Sequence, residues 1–291
     1  MTQPWHGVLV ATALPWGDDG RPDLDRYAEH VRWLAANGCD GVIPNGSLGE
    51  YQTLTVDERA AVVRTAIAAA PDGFSVVPGV GAYGSDEARR WAEQAREAGA
   101  PAVMLLPPNT YRADERAVVE HYRAVSTAGL PIVAYNNPID TKVDLTPELL
   151  ARLHGEGLIV GVKEFTGDVR RAYRLAELAP GLDLIAGADD VALELALAGA
   201  KGWIAGFPNA LPAQCVDFWR AATAGDLAKA LPSYRALHPL LRWDSRVEFV
   251  QAIKYAMDLA GRYGGPCRAP RVPLTDEHAA DVRAAFERAT A

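Results

Sequence analysis

The sequence predicts an α/β fold, a closed (β/α)8 TIM barrel with a C-terminal helical extension. Three observations carry this. Short apolar runs alternate with longer amphipathic ones almost from end to end, as strands and helices do when right-handed crossovers build a parallel sheet. Eight such units occupy roughly 220 residues, which suits a barrel closed on itself. The turn after the first run, Ala11-Thr12-Ala13-Leu14-Pro15, lacks the GxGxxG fingerprint that an open dinucleotide-binding sheet would want.

The predicted strands are Val8–Ala13, Gly41–Pro44, Phe74–Pro78, Ala102–Leu106, Pro131–Tyr135, Leu158–Lys163, Leu182–Ala186 and Gly202–Ala205. Each is short and rich in branched residues, the composition of a strand buried on both faces. The helices between them have readable ends. Thr55-Val56-Asp57-Glu58 has capping-box form ahead of a run to Ala70. Ser85-Asp86-Glu87 opens a helix that Gly99 stops, and Thr146-Pro147-Glu148 offers a cap followed by proline at the first helical position. Past Gly206 the pattern becomes helix after helix, over Ala213–Ala224, Asp226–Leu240, Arg246–Leu259 and Thr275–Ala289. No flexible linker intervenes, so residues 1–224 are expected to form the barrel and 225–291 an extension packed on it as one structural unit.

Hydrophobic residues make up 49% of the chain and charged residues 23%, the balance of a globular protein with a sizeable core. A formal net charge of -8 argues against a nucleic-acid or anionic-membrane partner. Neither a signal peptide nor a spanning segment is legible. Cys39, Cys215 and Cys267 form no CxxC pair, which with the missing signal leads us to expect a reducing cytoplasm. The scattered histidines offer no zinc-ligand spacing and no metal site is read from them, while spacing alone leaves an Asp/Glu-rich magnesium site open.

Residues just after barrel strands converge on one face, where chemistry takes place. Lys163 closes the sixth strand, its amine leaving an apolar run. Desolvation disfavours the ammonium form, and the neutral amine is a nucleophile for carbonyl carbon. The same pattern also suits a lysine that snorkels outward from a strand end. Tyr135, after strand 5, is positioned as a proton relay or as a ring filling the barrel mouth. Gly46-Ser47-Leu48-Gly49, after strand 2, suits a turn whose N–H groups face an anion, or an ordinary connecting turn. Gly187 and Ala205, at the ends of strands 7 and 8, are expected at the substrate site, and Asp189 reads as a helix cap. Together Lys163, Tyr135 and Ser47 are a set for carbonyl chemistry: a nucleophile, a proton shuttle and an anion-holding turn.

With these motifs in order, the chain resembles the dihydrodipicolinate synthase / N-acetylneuraminate lyase family of Schiff-base lyases. The resemblance covers nearly the whole chain. It runs through G-S/T-x-G-E at Gly46–Glu50, Y-N-x-P at Tyr135–Pro138, K-E-x-S/T-G-D at Lys163–Asp168 and G-x-D-D at Gly187–Asp190. It implies Lys163 as the Schiff-base lysine, Tyr135 as the catalytic tyrosine, Ser47 as a hydroxyl relay, and Ser47-Leu48 as the carboxylate-binding loop. It also implies a homotetramer in which a tyrosine reaches a neighbour's site. That position falls on Thr110, with Tyr111 one residue off. Two departures stand out: Leu48 replaces the second of two consecutive threonines, and Asp140 stands where the synthase has an arginine that holds a second substrate carboxylate.

Other details resemble the Δ1-pyrroline-4-hydroxy-2-carboxylate deaminases, among them Asn136-Asn137, Ala200-Lys201-Gly202-Trp203 and Val250-Gln251-Ala252-Ile253-Lys254. The resemblance thus implies a lyase acting on a small 2-keto or 2-imino acid through a covalent Schiff base, with no separate cofactor. The first expectation is dehydration and deamination of hydroxypyrroline carboxylate, with Asp140 or Asn137 receiving its hydroxyl. The alternatives are 4-hydroxy-tetrahydrodipicolinate synthase or another pyruvate-dependent aldolase, a non-catalytic 2-keto-acid-binding protein, and a magnesium-dependent barrel lyase.

Overall fold

Eight parallel strands are laid down in chain order: β1 (Gly7–Ala11), β2 (Gly41–Ile43), β3 (Ser75–Val76), β4 (Val103–Leu105), β5 (Ile132–Asn136), β6 (Gly161–Glu164), β7 (Asp183–Ala186) and β8 (Gly202–Ala205). This is a computed structural model, and it describes residues 2–109 and 111–291. The strands pair in the order β3-β2-β1-β8-β7-β6-β5-β4. The two ends meet through a parallel bridge between Gly79 and Met104. There the Met104 N–H donates to the Pro78 carbonyl and the Val80 N–H donates to the Met104 carbonyl, each at 2.9 Å. The sheet therefore closes, as the alternating pattern requires.

All eight strands lie where the sequence puts them, β8 with the same bounds and the others with edges displaced by at most three residues. The largest shift is at β6, which begins at Gly161 instead of Leu158. Leu158 still closes the preceding helix, its N–H donating to the Leu153 carbonyl at 2.9 Å. Glu164, not Lys163, is the last strand residue. The side chain of Glu164 is buried and accepts from Asn136 Nδ2 at 3.1 Å and from the Thr166 N–H at 2.7 Å.

The helix signals read from the sequence have their physical counterparts. Thr55 and Glu58 form a reciprocal capping box on helix 56–69, Thr146 caps helix 147–155 ahead of Pro147, and Gly99 ends helix 85–98 in the left-handed conformation at φ 97°. Among the described residues no helix is long and apolar enough to cross a membrane. The last helices span 212–223, 227–241, 249–259 and 276–290. The stretch expected to be helical from Arg246 becomes so only at Phe249. Residues 242–245 form a separate 3-10 turn, and that turn reaches the barrel mouth.

The extension is tied to the barrel by charge as well as packing. Arg262 pairs with Glu29 at 3.0 Å and Arg268 with Glu58 at 2.7 Å. A third pair, Lys254 with Glu50 at 3.3 Å, has side chains only 1% and 0% exposed. Burial pulls the Lys254 ammonium below the usual lysine range, and the Glu50 carboxylate acts in the opposite direction. Breaking a buried pair leaves an uncompensated charge, at a cost of about 3–5 kcal/mol. Lys254→Met should therefore lower the urea midpoint sharply. Adding Glu50→Gln should restore part of the loss, whereas a single variant as stable as wild type would show the pair to be dispensable.

Candidate active site

Lys163 and Tyr135 are register partners on neighbouring strands. The Lys163 Nζ lies 4.4 Å from the centroid of the Tyr135 ring and 5.6 Å from that of Phe165. Gly187, expected at the substrate site, has a different task. A Cβ there would come within 2.5 Å of the Glu164 carbonyl oxygen and 3.0 Å of Lys163 Cγ, so only glycine lets the lysine chain rise past β7. Lys163 is 6% exposed. Burial holds its pKa below the usual lysine range, with the negative charges of Asp244 and Asp189 acting the other way. A greater share of the side chain is thus the neutral, nucleophilic amine.

The Tyr135 hydroxyl is bound from its own loop. Asn137 Nδ2 donates to it at 3.3 Å and to Asp140 Oδ2 at 2.8 Å. Asn137 also caps the short helix 138–141, its Oδ1 accepting from the Asp140 N–H at 3.2 Å. That cap turns the amide NH2 back toward Tyr135. Among the described residues the Tyr135 hydroxyl is thus hydrogen-bonded to Asn137 and not to Ser47, the residue read as its hydroxyl relay, though Ser47 lines the same cavity. Burial pushes the phenol well above its usual pKa, so at neutral pH Tyr135 is a proton donor.

The loop 46–49 is held open between two residues in the left-handed region, Asn45 at φ 57° and Glu50 at φ 54°. Non-glycine residues rarely adopt this conformation and keep it where their surroundings over-determine it. Here the Asn45 Nδ2 donates to the Arg59 carbonyl at 3.0 Å, and Glu50 accepts from Trp16 Nε1 at 2.9 Å and the Arg268 N–H at 2.9 Å. Among the described residues the N–H groups of Ser47 and Leu48 enter no main-chain hydrogen bond. They remain available to a carboxylate, and a leucine can supply such a donor as well as a threonine.

These residues share a cavity of about 360 Å³ whose lining includes Lys163, Tyr135, Gly46, Ser47, Leu48 and Asn137, and also Asp140. The volume suits a small organic acid. Other expectations fall elsewhere. Tyr111 is exposed and Ala205 is a buried ladder residue paired with Val10. Neither is among the residues that line the cavity. Thr110 lies outside the described residues. Asp189 caps nothing. Its Oδ1 accepts from Trp203 Nε1 at 2.9 Å and its Oδ2 from the N–H groups of Gly206 and Phe207 at 3.1 and 3.3 Å. The carboxylate fastens the end of β7 to the end of β8, which no local motif announces.

Among the cavity residues that come from the extension, three are charged and carry no sequence signal of their own: Asp244, Arg246 and Arg271. Arg246 stacks 4.2 Å above the Trp243 ring and Arg271 lies 5.3 Å above that of Phe249. No ion pair involves either arginine among the described residues. Stacking on a ring face leaves guanidinium N–H edges free for an anion.

The cavity thus joins a buried lysine, a phenol, an open N–H turn and two free guanidinium groups at the mouth of a closed barrel. Similar proteins share the fold that carries this cavity. A 4-hydroxy-tetrahydrodipicolinate synthase of Anaeromyxobacter dehalogenans is 37% identical over 291 residues, with 97% of each chain covered. The crystal structure of a putative dihydrodipicolinate synthetase from Pseudomonas aeruginosa superposes with a TM-score of 0.93 at 32% identity, covering 98% of this chain and 99% of its own. YagE, a family protein from E. coli solved in complex with pyruvate, superposes with a TM-score of 0.91 at 26% identity over 98% of both chains. The model of the Dihydrodipicolinate synthetase family matches residues 4–289, so the chain belongs to that family of lyases across nearly its whole length.

Proposed function

We propose that the protein is a pyruvate-dependent aldolase that works through a Schiff base on Lys163. The observation that carries this is the buried amine at the floor of the cavity, set against the Tyr135 ring. In this reading Lys163 attacks C2 of pyruvate while the free N–H groups of Ser47-Leu48 hold the carboxylate. Loss of water gives an iminium that acidifies the C3 protons. The resulting enamine adds to an aldehyde, whose carbonyl oxygen takes a proton from the neutral Tyr135 phenol. Hydrolysis of the iminium then releases product and amine.

Relatives named as 4-hydroxy-tetrahydrodipicolinate synthases and a pyruvate-bound structural relative support pyruvate as the first substrate. Arg246 and Arg271 support an acidic aldehyde as the second. With Asp140 in the place of the family arginine, these two would supply the clamp from the opposite wall.

A second reading has its own support. Asp140 and Asn137, hydrogen-bonded to each other beside Tyr135, suit a C4 hydroxyl better than a carboxylate. That favours dehydration and deamination of hydroxypyrroline carboxylate, which needs no second clamp. Comparison of kcat/KM decides between them. Pyruvate with aspartate semialdehyde or another acidic aldehyde should be preferred, and Arg271→Ala should raise KM for the aldehyde by about 10-fold or more, as expected for a lost charge-assisted contact. A tenfold preference for hydroxypyrroline carboxylate would establish the second reading instead.

A further inference from the structure

Asp244 is the one carboxyl group that enters the cavity from the extension, and the mechanism above gives it no task. Its position is fixed from three sides. Trp243 before it is buried against the His278 ring, with centroids 5.4 Å apart. Ser245 after it donates to Asp190 Oδ1 at 3.1 Å, and His238 contacts the Asp190 carbonyl at 3.1 Å. The carboxylate then lies over Gly206. A Cβ at that residue would stand 2.8 Å from Asp244 Oδ1 and 2.6 Å from Ile253 Cδ1. The glycine at the end of β8 therefore makes the gap through which Asp244 reaches the barrel mouth.

Asp189 lies next to it but is spent on Trp203, Gly206 and Phe207. Asp244 belongs to no ion pair among the described residues and shares the cavity with Lys163 and Tyr135. A carboxyl group held in place by its neighbours and open to the same cavity as a nucleophilic amine is placed for proton transfer.

We infer that Asp244 is the acid–base group of the Lys163 adduct, a role that rests on Schiff-base formation there. The amine adds to C2 of pyruvate, and the nitrogen's proton passes to the oxygen to give a neutral carbinolamine. Asp244, as the carboxylic acid, protonates that hydroxyl. The C2–O bond breaks, water leaves, and the nitrogen lone pair closes the iminium. Asp244 is then a carboxylate beside a cation. It takes one proton from C3, whose C–H electrons form the enamine while the iminium charge is neutralised. The acid form is thereby regenerated, and no oxidant or further reactant is required.

The surroundings support both forms of the group. Burial and the negative charge of Asp190 raise the Asp244 pKa, while Lys163 and a hydrogen bond from the Asp189 N–H lower it, leaving it at about 7. The groups facing it are Lys163 on β6, Tyr135 on β5, and Asp189 and Asp190 after β7, and Arg246 on its own segment lines the same cavity. An acid–base group that titrates near the operating pH keeps both of its forms available.

The test measures two steps that need no aldehyde: borohydride trapping of pyruvate on the protein, and exchange of the pyruvate methyl protons in D2O followed by NMR. Asp244→Asn should slow both by about 10²-fold or more, and the alkaline fall in trapping rate with a midpoint near 7 should disappear. Asp244→Ala should behave alike and recover part of the exchange rate on addition of formate. Wild-type rates in Asp244→Asn, or slow variants that keep the alkaline limb and ignore formate, would overturn the assignment. A wild-type protein that traps no pyruvate would instead overturn the Schiff-base reading on which it rests.

Discussion

Incubation with pyruvate and borohydride should add one reduced adduct per chain, mapped to Lys163, and Lys163→Met should reduce turnover by on the order of 10⁴-fold or more. The sequence has four other lysines, and the structure separates them from Lys163 physically. Lys142, Lys201 and Lys229 are exposed, where an ammonium keeps its hydration and a carbonyl finds no cavity. Lys254 is buried and its pKa is also lowered, but its amine faces Glu50 and donates to the Pro266 carbonyl. A paired amine that is not among the residues lining the active-site cavity is a poor nucleophile. Lys163 alone combines desolvation with an open cavity. Peptide mapping of the adduct to any of the other four would sink the assignment. So would full turnover in Lys163→Met.

The sequence makes Lys163 legible because the signal is local, a charged residue at the end of an apolar run that must be a buried strand. The eight strands are legible for the same reason. A parallel strand covered on both faces has to be apolar throughout, and Gly, Pro and capping residues punctuate what lies between. Strand edges are less visible because hydrogen bonding between neighbouring segments extends beyond the regular ladder into the apolar run. Val160 already bonds on both sides, its N–H donating to the Ile132 carbonyl and its own carbonyl accepting from Asp183.

Asp244 and Arg271 are illegible for the opposite reason. They lie on irregular stretches, 242–248 and 264–274, between helices of the extension. Nothing local says that these stretches fold back over the mouth. Only the buried Trp243, the Glu50–Lys254 pair and the gap at Gly206 bring them there, and all three are tertiary facts. Asp189 shows the same limit. A serviceable local reading as a cap gives way to three N–H donors that arrive from β8 and the residues after it.

Tyr135→Phe should keep the fold, keep the lysine adduct and lose most turnover. The ring supports Lys163 from below and meets Phe165 edge-on, with centroids 6.1 Å apart, and phenylalanine preserves both contacts. What disappears is one hydroxyl, an acceptor for Asn137 Nδ2 at 3.3 Å. Asn137 keeps its bonds to Asp140, so the stability loss should stay near 1 kcal/mol. The effect on chemistry is far larger. A neutral phenol gives its proton to the oxygen that develops charge as the C3–C4 bond forms, and removing a positioned acid typically costs 10²–10⁴-fold. The effect should also be selective. If Asp244 serves the adduct and Tyr135 the acceptor oxygen, the variant should trap pyruvate and exchange its methyl protons within several-fold of wild type while kcat falls by at least 10²-fold. Equal losses in trapping, exchange and turnover would mean that Tyr135 acts before the aldehyde arrives. Turnover within about threefold of wild type would mean that another group protonates the oxygen.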